Sequence, residues 1–237
     1  MGSRCLVDGV THTRSSRCCS DRIRGDCPAL LDYVTARPMT PQKVFFDRAL
    51  IMSIILASLI VALAISGDVT RDTLQWTRSG VKHGEWWRVI TAHVVHLNLF
   101  HAMLNAVVLI LLAALFGRVF TLARHGVHAI IGILFIDAGL IWLGNLEWYV
   151  GLSGLLHALA AASVVRLIVD RHDRVAWGVA MFGLGKIVYE NTVGPMPFSG
   201  RETSVVTDVH LFGVVIGMAL GLIPTRHRSS GPLTDVA

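Results

Sequence analysis

The stretch ALIMSIILASLIVALAIS, residues 49–66, contains no charged side chain. As a helix with about 1.5 Å of rise per residue, it is long enough to cross the hydrocarbon core of a bilayer. The whole chain has a matching composition, with 53% hydrophobic and 16% charged residues in 237 positions. Such a composition is too apolar for an ordinary soluble domain. Residues 49–66 therefore predict the first span of an integral membrane protein.

Five further apolar segments follow the first one. We predict helices at about residues 97–116, 127–143, 148–169, 175–189 and 205–223. The segment at 175–189 is short for a span and contains Lys186. Six spans of about 20 residues use most of a chain of this length. The sequence therefore predicts an all-α membrane protein, a bundle of six transmembrane helices.

The two ends of the chain are polar. We expect residues 1–43 to be a disordered cytoplasmic extension, residues 44–225 the membrane domain, and residues 226–237 a short cytoplasmic tail. The first apolar run is not preceded by a cleavable signal peptide, and Met39 is an alternative start for a shorter chain. All four cysteines lie in the extension. The Cys18-Cys19 pair lacks the spacing and the histidine partners of a zinc site, whereas Cys5 and Cys27 leave a metal site open. We interpret all four as free thiols.

The net charge of +5 is distributed along the chain. The basic residues stand between apolar segments and form no single patch, which argues against a nucleic-acid partner. Several follow the second, fourth and sixth predicted helices, namely Arg118, Arg124, Arg171, Arg174, Arg226 and Arg228. Under the positive-inside rule, this distribution predicts that both termini are cytoplasmic. The charged, tryptophan-containing segment 67–95 is then a large loop at the outer face.

Polar residues inside apolar helices indicate where function is to be sought, because they cost free energy unless they are paired or serve a site. The second predicted helix contains His101 and Asn105, four positions apart and hence on one face. The fourth opens with Gly151-Leu-Ser153-Gly154. Glycines beside a serine allow another backbone or a substrate strand to approach its hydroxyl closely.

The sixth predicted helix carries a histidine above a row of small residues, in the order His210, Gly213, Gly217 and Gly221. This row is a face of the kind that lets membrane helices pack closely. If it meets the small residues that follow Ser153, the serine hydroxyl and the His210 imidazole come within hydrogen-bonding reach. The imidazole then accepts the hydroxyl proton, which makes the serine a nucleophile. The sequence thus predicts a serine–histidine dyad.

Cleavage of a peptide bond also requires hydrogen-bond donors aimed at the oxyanion of the tetrahedral intermediate. The backbone N–H of Ser153 and the side chains of His101 and Asn105 are the candidates for this oxyanion hole. This chemistry needs no metal and no organic cofactor, so we expect neither.

Together these motifs resemble those of the rhomboid family of intramembrane serine proteases. The matching patterns are His101-x-x-x-Asn105, Gly151-Leu-Ser153-Gly154 and His210-x-x-Gly213-x-x-x-Gly217. The resemblance implies that Ser153 is the nucleophile and His210 its base. It also implies that His101 and Asn105 line the oxyanion hole, with the motif glycines in support. Over residues 49–223 it implies a rhomboid-like bundle of six helices.

A narrower similarity is to the rhombosortases, bacterial relatives within that family. The segments that resemble them are residues 85–88, 148–157, 186–190 and 208–213. This similarity implies a substrate class, namely exported proteins with a C-terminal anchor made of a Gly-Gly motif, a hydrophobic helix and a basic tail. It further implies a place in the bacterial inner membrane, with the site opening to the outer face. Ala158 departs from the glycine that is usual in the subgroup.

Several polar residues leave alternatives open. His157 lies four residues after the predicted nucleophile on the same helix face and is a rival base. Rhomboids often have an aromatic residue there that packs on the catalytic histidine, which implies a supporting role for His157. The set His93, His96 and His101 suggests zinc, but no acidic or His-Glu-x-x-His pattern accompanies it. Asp137 has no evident partner in the sequence.

Two other functions fit a polytopic chain of this kind. One is an inactive rhomboid-like protein that binds and escorts membrane clients. Such a protein would not need an intact set of catalytic residues, so the presence of the full set in this chain favours proteolysis. The other is a small transporter that uses its intramembrane polar groups as an ion path, and this function predicts ion flux that does not depend on Ser153.

Overall fold

The computed structural model describes residues 48–142, 146–194 and 207–224. In chain order the elements are α1 (Arg48–Ile65), α2 (Asp68–Leu74), β1 (Trp76–Thr77), α3 (Arg78–Lys82), α4 (Arg88–Thr91), α5 (Leu99–Phe116), α6 (Leu122–Trp142), β2 (Trp148–Tyr149), α7 (Ser153–Arg171), α8 (Arg174–Thr192) and α9 (Thr207–Leu222). The predicted extension at 1–43 and the tail at 226–237 lie outside the described residues. So do the predicted end of the third helix at residue 143 and the start of the sixth at residue 205.

Four helices are long and apolar enough to cross a membrane, namely α1, α5, α6 and α7. Their outward faces expose large apolar side chains, for example Ile55, Leu111 and Leu134. A lipid environment covers such side chains, whereas water would not tolerate so many of them. The all-helical membrane architecture is thus confirmed, with two-residue strands as the small exception among the described residues. Helix α9 is apolar but only 16 residues long, and α8 is not among the four, so the count of six spans stays a prediction.

Helices α1, α5 and α7 share one apolar core. Ile60 of α1 and Ala102 of α5 are fully buried, and Leu155 and Leu156 of α7 pack into the same cluster. Small side chains such as Ala102 let the helix backbones approach closely, which favours packing where lipid removes the hydrophobic driving force. This packing fixes the first turns of α5 beside the first turns of α7.

The segment between α1 and α5 is a folded loop held by one arginine. The Arg88 guanidinium donates to the backbone carbonyls of Asp72 (2.9 Å) and Gln75 (2.7 Å), and it also pairs with the Glu85 carboxylate. A planar guanidinium can hold several acceptors at fixed angles, which lysine cannot do. Arg88 therefore joins the beginning and the end of the loop.

A short strand pair attaches this loop to the chain that leads into α7. β1 and β2 are antiparallel, with Trp76 opposite Tyr149, and both side chains are buried. The next residue of the loop, Arg78, donates to the carbonyls of Leu140 (2.8 Å) and Leu146 (3.1 Å). Those contacts hold the C-terminal end of α6 in place. The loop, the end of α6 and the start of α7 thus form one connected unit.

Helices α7 and α9 run parallel with their backbones in contact. A methyl group on any of three α9 glycines would overlap a backbone carbonyl of α7, the pairs being Gly213 with Gly154, Gly217 with Ala158, and Gly221 with Ala162. Both helices advance by four residues from one pair to the next, so each presents a single stripe to the other. Glycine is required on α9 because any side chain would separate the helices. The contact aligns the first turns of the two helices.

Candidate active site

The three residues before α7 form a tight connection that presents Ser153. Gly151 has φ of +121°, a conformation that favours glycine because other residues are strained there. Its N–H donates to the Ala92 carbonyl (2.9 Å), and its carbonyl accepts from the Tyr149 hydroxyl (2.6 Å). Burial raises the pKa of Tyr149, so the hydroxyl keeps the proton that it donates. Ser153 then begins α7 from a fixed position.

The Ser153 hydroxyl and the His210 imidazole form a hydrogen bond. Ser153 Oγ lies 2.8 Å from His210 Nε2, and His210, in the first turn of α9, is buried. The two side chains come from helices whose first turns are aligned by the glycine contact. The pair has the separation that proton transfer from a serine hydroxyl to an imidazole requires.

His157 contacts both members of this pair. Its ring stacks on the His210 ring, with centroids 4.4 Å apart and an interplanar angle of 21°. Its Nδ1 is 2.7 Å from the Ser153 backbone carbonyl, and since a carbonyl only accepts, Nδ1 is the donor. His157 thus contacts the backbone of Ser153, whereas His210 contacts the hydroxyl.

His101 and Asn105 lie near Ser153 on helix α5. Both line a cavity of about 250 Å³ that also contains Ser153, His157 and His210. Asn105 is buried, and its Nδ2 donates to the His101 carbonyl (2.9 Å) within α5. The His101 ring approaches the backbone just before Ser153, so closely that a methyl group on the residue there, Gly151, would lie 3.1 Å from His101 Cε1. The structure therefore brings together every residue that the sequence singled out for the dyad and the oxyanion hole.

His96, which the sequence suggested only as a zinc ligand, also lies in this region. Its ring meets the His101 ring edge-on with centroids 5.1 Å apart, and its Nε2 accepts from the Leu152 N–H at 3.4 Å. Burial, followed by the proximity of His101, lowers the pKa of His96 to about 3. His96 is therefore neutral and can serve as an acceptor beneath the connection that presents Ser153.

The other polar residues that were left without a role form a second pair, away from the dyad. His93 Nε2 is 3.3 Å from Asp137 Oδ2, and both side chains are buried. Asp137 of α6, which had no evident partner in the sequence, is thus paired with His93 at the end of the loop. Within residues 48–142, 146–194 and 207–224, no group of three or more His, Cys, Asp or Glu side chains could hold a metal ion.

Helix α8 supplies two site residues that sequence reasoning did not connect to the dyad. Glu190 Oε2 lies 2.8 Å from His210 Nδ1, and Glu190 Oε1 lies 2.7 Å from Lys186 Nζ. The i,i+4 spacing of Lys186 and Glu190 is one at which two helix side chains can pair. The signal that could have indicated a wider role is the acidic residue that directly follows the predicted apolar segment 175–189.

Comparisons with known proteins agree with the motifs. The Rhomboid domain model matches residues 83–227, which include all of α5 to α9. A Bacillus subtilis (strain 168) protein named "Putative rhomboid protease YdcA" is 34% identical over 173 residues, which are 67% of this chain and 77% of that protein. Neither match distinguishes a subgroup within the family.

Proposed function

Because the chain belongs to the rhomboid family, we propose that it is an intramembrane serine endopeptidase in which Ser153 is the nucleophile and His210 the base. The observation that carries this proposal is the 2.8 Å hydrogen bond between Ser153 Oγ and His210 Nε2. A serine hydroxyl alone is a poor nucleophile, and a neighbouring imidazole corrects this. Proteases of this family act on membrane proteins within the bilayer.

The proposed reaction has two halves. Ser153 Oγ attacks the scissile carbonyl carbon while its proton passes to His210 Nε2, and the imidazolium then gives that proton to the leaving amine nitrogen. Water then attacks the acyl-enzyme with His210 again as the base, which frees the new carboxyl end and restores the serine. During both halves the oxyanion would accept hydrogen bonds from the Ser153 N–H, His101 and Asn105.

The proposed setting is a six-span bundle in the bacterial inner membrane, with both termini in the cytoplasm and the site opening to the outer face. The two reacting side chains support this setting, since each belongs to the first turn of its helix. A site near the end of a bundle can receive the water that hydrolysis consumes. The proposed topology follows from the arginines that flank the helices on the opposite side.

The proposed clients are exported proteins with a C-terminal anchor that contains a Gly-Gly motif, a hydrophobic helix and a basic tail. The cavity beside Ser153 supports an apolar ligand, because Leu104, Val108 and Phe182 are among its lining residues. A small-residue motif ahead of the anchor would let the client backbone approach Ser153 closely.

Labelling with a fluorophosphonate tests the proposed nucleophile. We expect the purified protein in detergent to be labelled at Ser153 and the Ser153→Ala variant to remain unlabelled. Ser163→Ala is the matched control, because the Ser163 hydroxyl donates to the Leu159 carbonyl of its own helix and lies outside the dyad. Its labelling should equal that of the natural chain. A protein that resists labelling but conducts ions in proteoliposomes would contradict the proposal.

Co-expression tests the proposed client class. Candidate proteins with Gly-Gly C-terminal anchors should appear as shortened products with the active chain and at full length with Ser153→Ala. The matched substrate control replaces the Gly-Gly motif by two leucines and leaves the helix and basic tail unchanged, and it should remain uncut. Cleavage of other membrane proteins but of none of these candidates would rule out the client class while leaving the protease assignment intact.

A further inference from the structure

We propose that Glu190 is a positioning residue for His210, so that the site contains a Ser153–His210–Glu190 triad in place of a dyad. This inference rests on the proposed proteolysis and adds to it a residue from a third helix, α8. Glu190 would act through His210 and would not itself contact the substrate.

Glu190 is placed to make two bonds. Its side chain is fully buried, and its carboxylate oxygens have different partners, with Oε2 2.8 Å from His210 Nδ1 and Oε1 2.7 Å from Lys186 Nζ. A buried carboxylate is costly unless both oxygens are satisfied. The pairing with Lys186 offsets part of that cost and favours the ionised carboxylate beside the imidazole.

The hydrogen-bond partners of the two ring nitrogens determine the tautomer of His210. If Ser153 donates its hydroxyl proton to Nε2, then Nε2 carries no proton and Nδ1 carries one. That Nδ1–H needs an acceptor. Glu190 supplies one, whereas the Lys186 ammonium, 3.3 Å from the same nitrogen, has only donors. Glu190 therefore selects the tautomer in which His210 can act as a base.

The same geometry suits the charged intermediate. When His210 takes the Ser153 proton, the new positive charge forms next to the Glu190 carboxylate, at a distance where low dielectric strengthens the attraction. The other groups against the ring are His157, which stacks on it, and Lys186, whose charge opposes the imidazolium. Glu190 is thus the anion that offsets Lys186 at this position. It keeps its charge throughout, because the proton moves only between Ser153, His210 and the leaving group.

The Glu190→Gln variant tests the inference by exchanging one carboxylate oxygen for an NH₂ group. Lys186 would continue to donate to the amide oxygen, which turns the amide NH₂ towards His210 Nδ1. Two donors cannot face each other, so His210 would shift to the tautomer with a proton on Nε2, which cannot accept from Ser153. We expect the first-order rate of fluorophosphonate inactivation, kinact, to fall by about 10²- to 10⁴-fold. The concentration for half-maximal rate should change by less than about threefold, since probe binding does not depend on the tautomer.

The double variant Lys186→Met with Glu190→Gln separates positioning from a merely structural ion pair. Without the lysine, the amide is free to turn its oxygen towards Nδ1 and restore the productive tautomer. We expect kinact to recover by at least about tenfold relative to Glu190→Gln alone, the worth of one restored hydrogen bond. A structural ion pair predicts the reverse, because the double variant would lose both partners. Thermal unfolding in detergent should show that the natural chain, Glu190→Gln and the double variant are all folded.

A spectroscopic readout keeps the inference testable without activity. In protein with ¹⁵N-labelled histidine, a strongly deshielded proton bonded to His210 Nδ1 should be present in the natural chain and in Ser153→Ala, and absent in Glu190→Gln. Absence of that proton in the natural chain would overturn the inference, as would a kinact of Glu190→Gln within threefold of the natural value. A natural chain that is never labelled by the fluorophosphonate would instead contradict the proposed protease. The proton signal would in that case still show whether Glu190 accepts a hydrogen bond from His210 Nδ1.

Discussion

Replacement of His210 by alanine is expected to lower client cleavage by about 10⁴- to 10⁶-fold, to the level of Ser153→Ala. The reason is that His210 Nε2, 2.8 Å from Ser153 Oγ, is the proposed acceptor of the Ser153 proton. Removal of either member leaves only the oxyanion donors and substrate binding, so the two single variants and the double variant should be equally inactive. The measurement is the rate of product formation from a purified client in detergent.

The matched variant is His157→Ala, which removes the other imidazole beside Ser153. His157 donates to the Ser153 carbonyl and stacks on His210, so its loss should loosen the pair and leave the proton acceptor in place. We expect a loss of about tenfold, which corresponds to one aromatic stacking interaction. Cleavage that survives His210→Ala and disappears in His157→Ala would reverse the two roles and show His157 to be the base.

Gly217→Val is expected to have the largest effect on folding. The new side chain would overlap the Ala158 backbone of α7, and neither helix can yield without separating all three glycine contacts. Overpacking typically costs about 1–3 kcal/mol and occasionally more. Because this overlap is with backbone atoms, we expect loss of most of the folded protein together with fluorophosphonate labelling. Unfolding by SDS in mixed micelles measures the change in the free energy of unfolding.

A glycine-to-valine change in α8 serves as the control. A Cβ atom on Gly178 would meet no atom within 4 Å apart from the neighbouring backbone of its own helix, so Gly178→Val adds the same atoms at a position with open space. Its free energy of unfolding should stay within about 1 kcal/mol of the natural value. Equal stability of Gly217→Val and Gly178→Val would show that the α7–α9 contact is looser than the structure has it.

Apolar runs predicted where the helices lie better than where they begin. The run at 49–66 corresponds to α1, which is Arg48–Ile65. The third helix was predicted from residue 127 and begins at Leu122, because polar residues such as Arg124 fit the first turn, where Arg124 donates to the Ile223 carbonyl (2.9 Å). Hydropathy alone does not register a charged residue that is satisfied by a neighbouring helix end.

The fourth helix shows a different limit. It was predicted from residue 148 and begins at Ser153, because Trp148 and Tyr149 pair with β1 and Gly151 adopts positive φ. The strand pairing depends on a partner far away along the chain, since Trp76 precedes Tyr149 by 73 positions. No local pattern contains that information.

In the candidate site, too, local motifs were predicted from the sequence and a contact between helices was missed. The residue spacing within single helices was enough to select Ser153, His210 and the His101–Asn105 pair, since each motif is local. The bond from Glu190 to His210 was missed because it depends on how α8 is rotated against α9. The sequence offers only the i,i+4 pairing with Lys186, and that pairing uses one of the two carboxylate oxygens.

The short strand pair has a mechanical consequence. Through Tyr149, whose backbone pairs with Trp76 and whose hydroxyl holds Gly151, a displacement of the loop pulls on the peptide immediately ahead of Ser153. A change in the loop can therefore shift the Ser153 hydroxyl without contacting it.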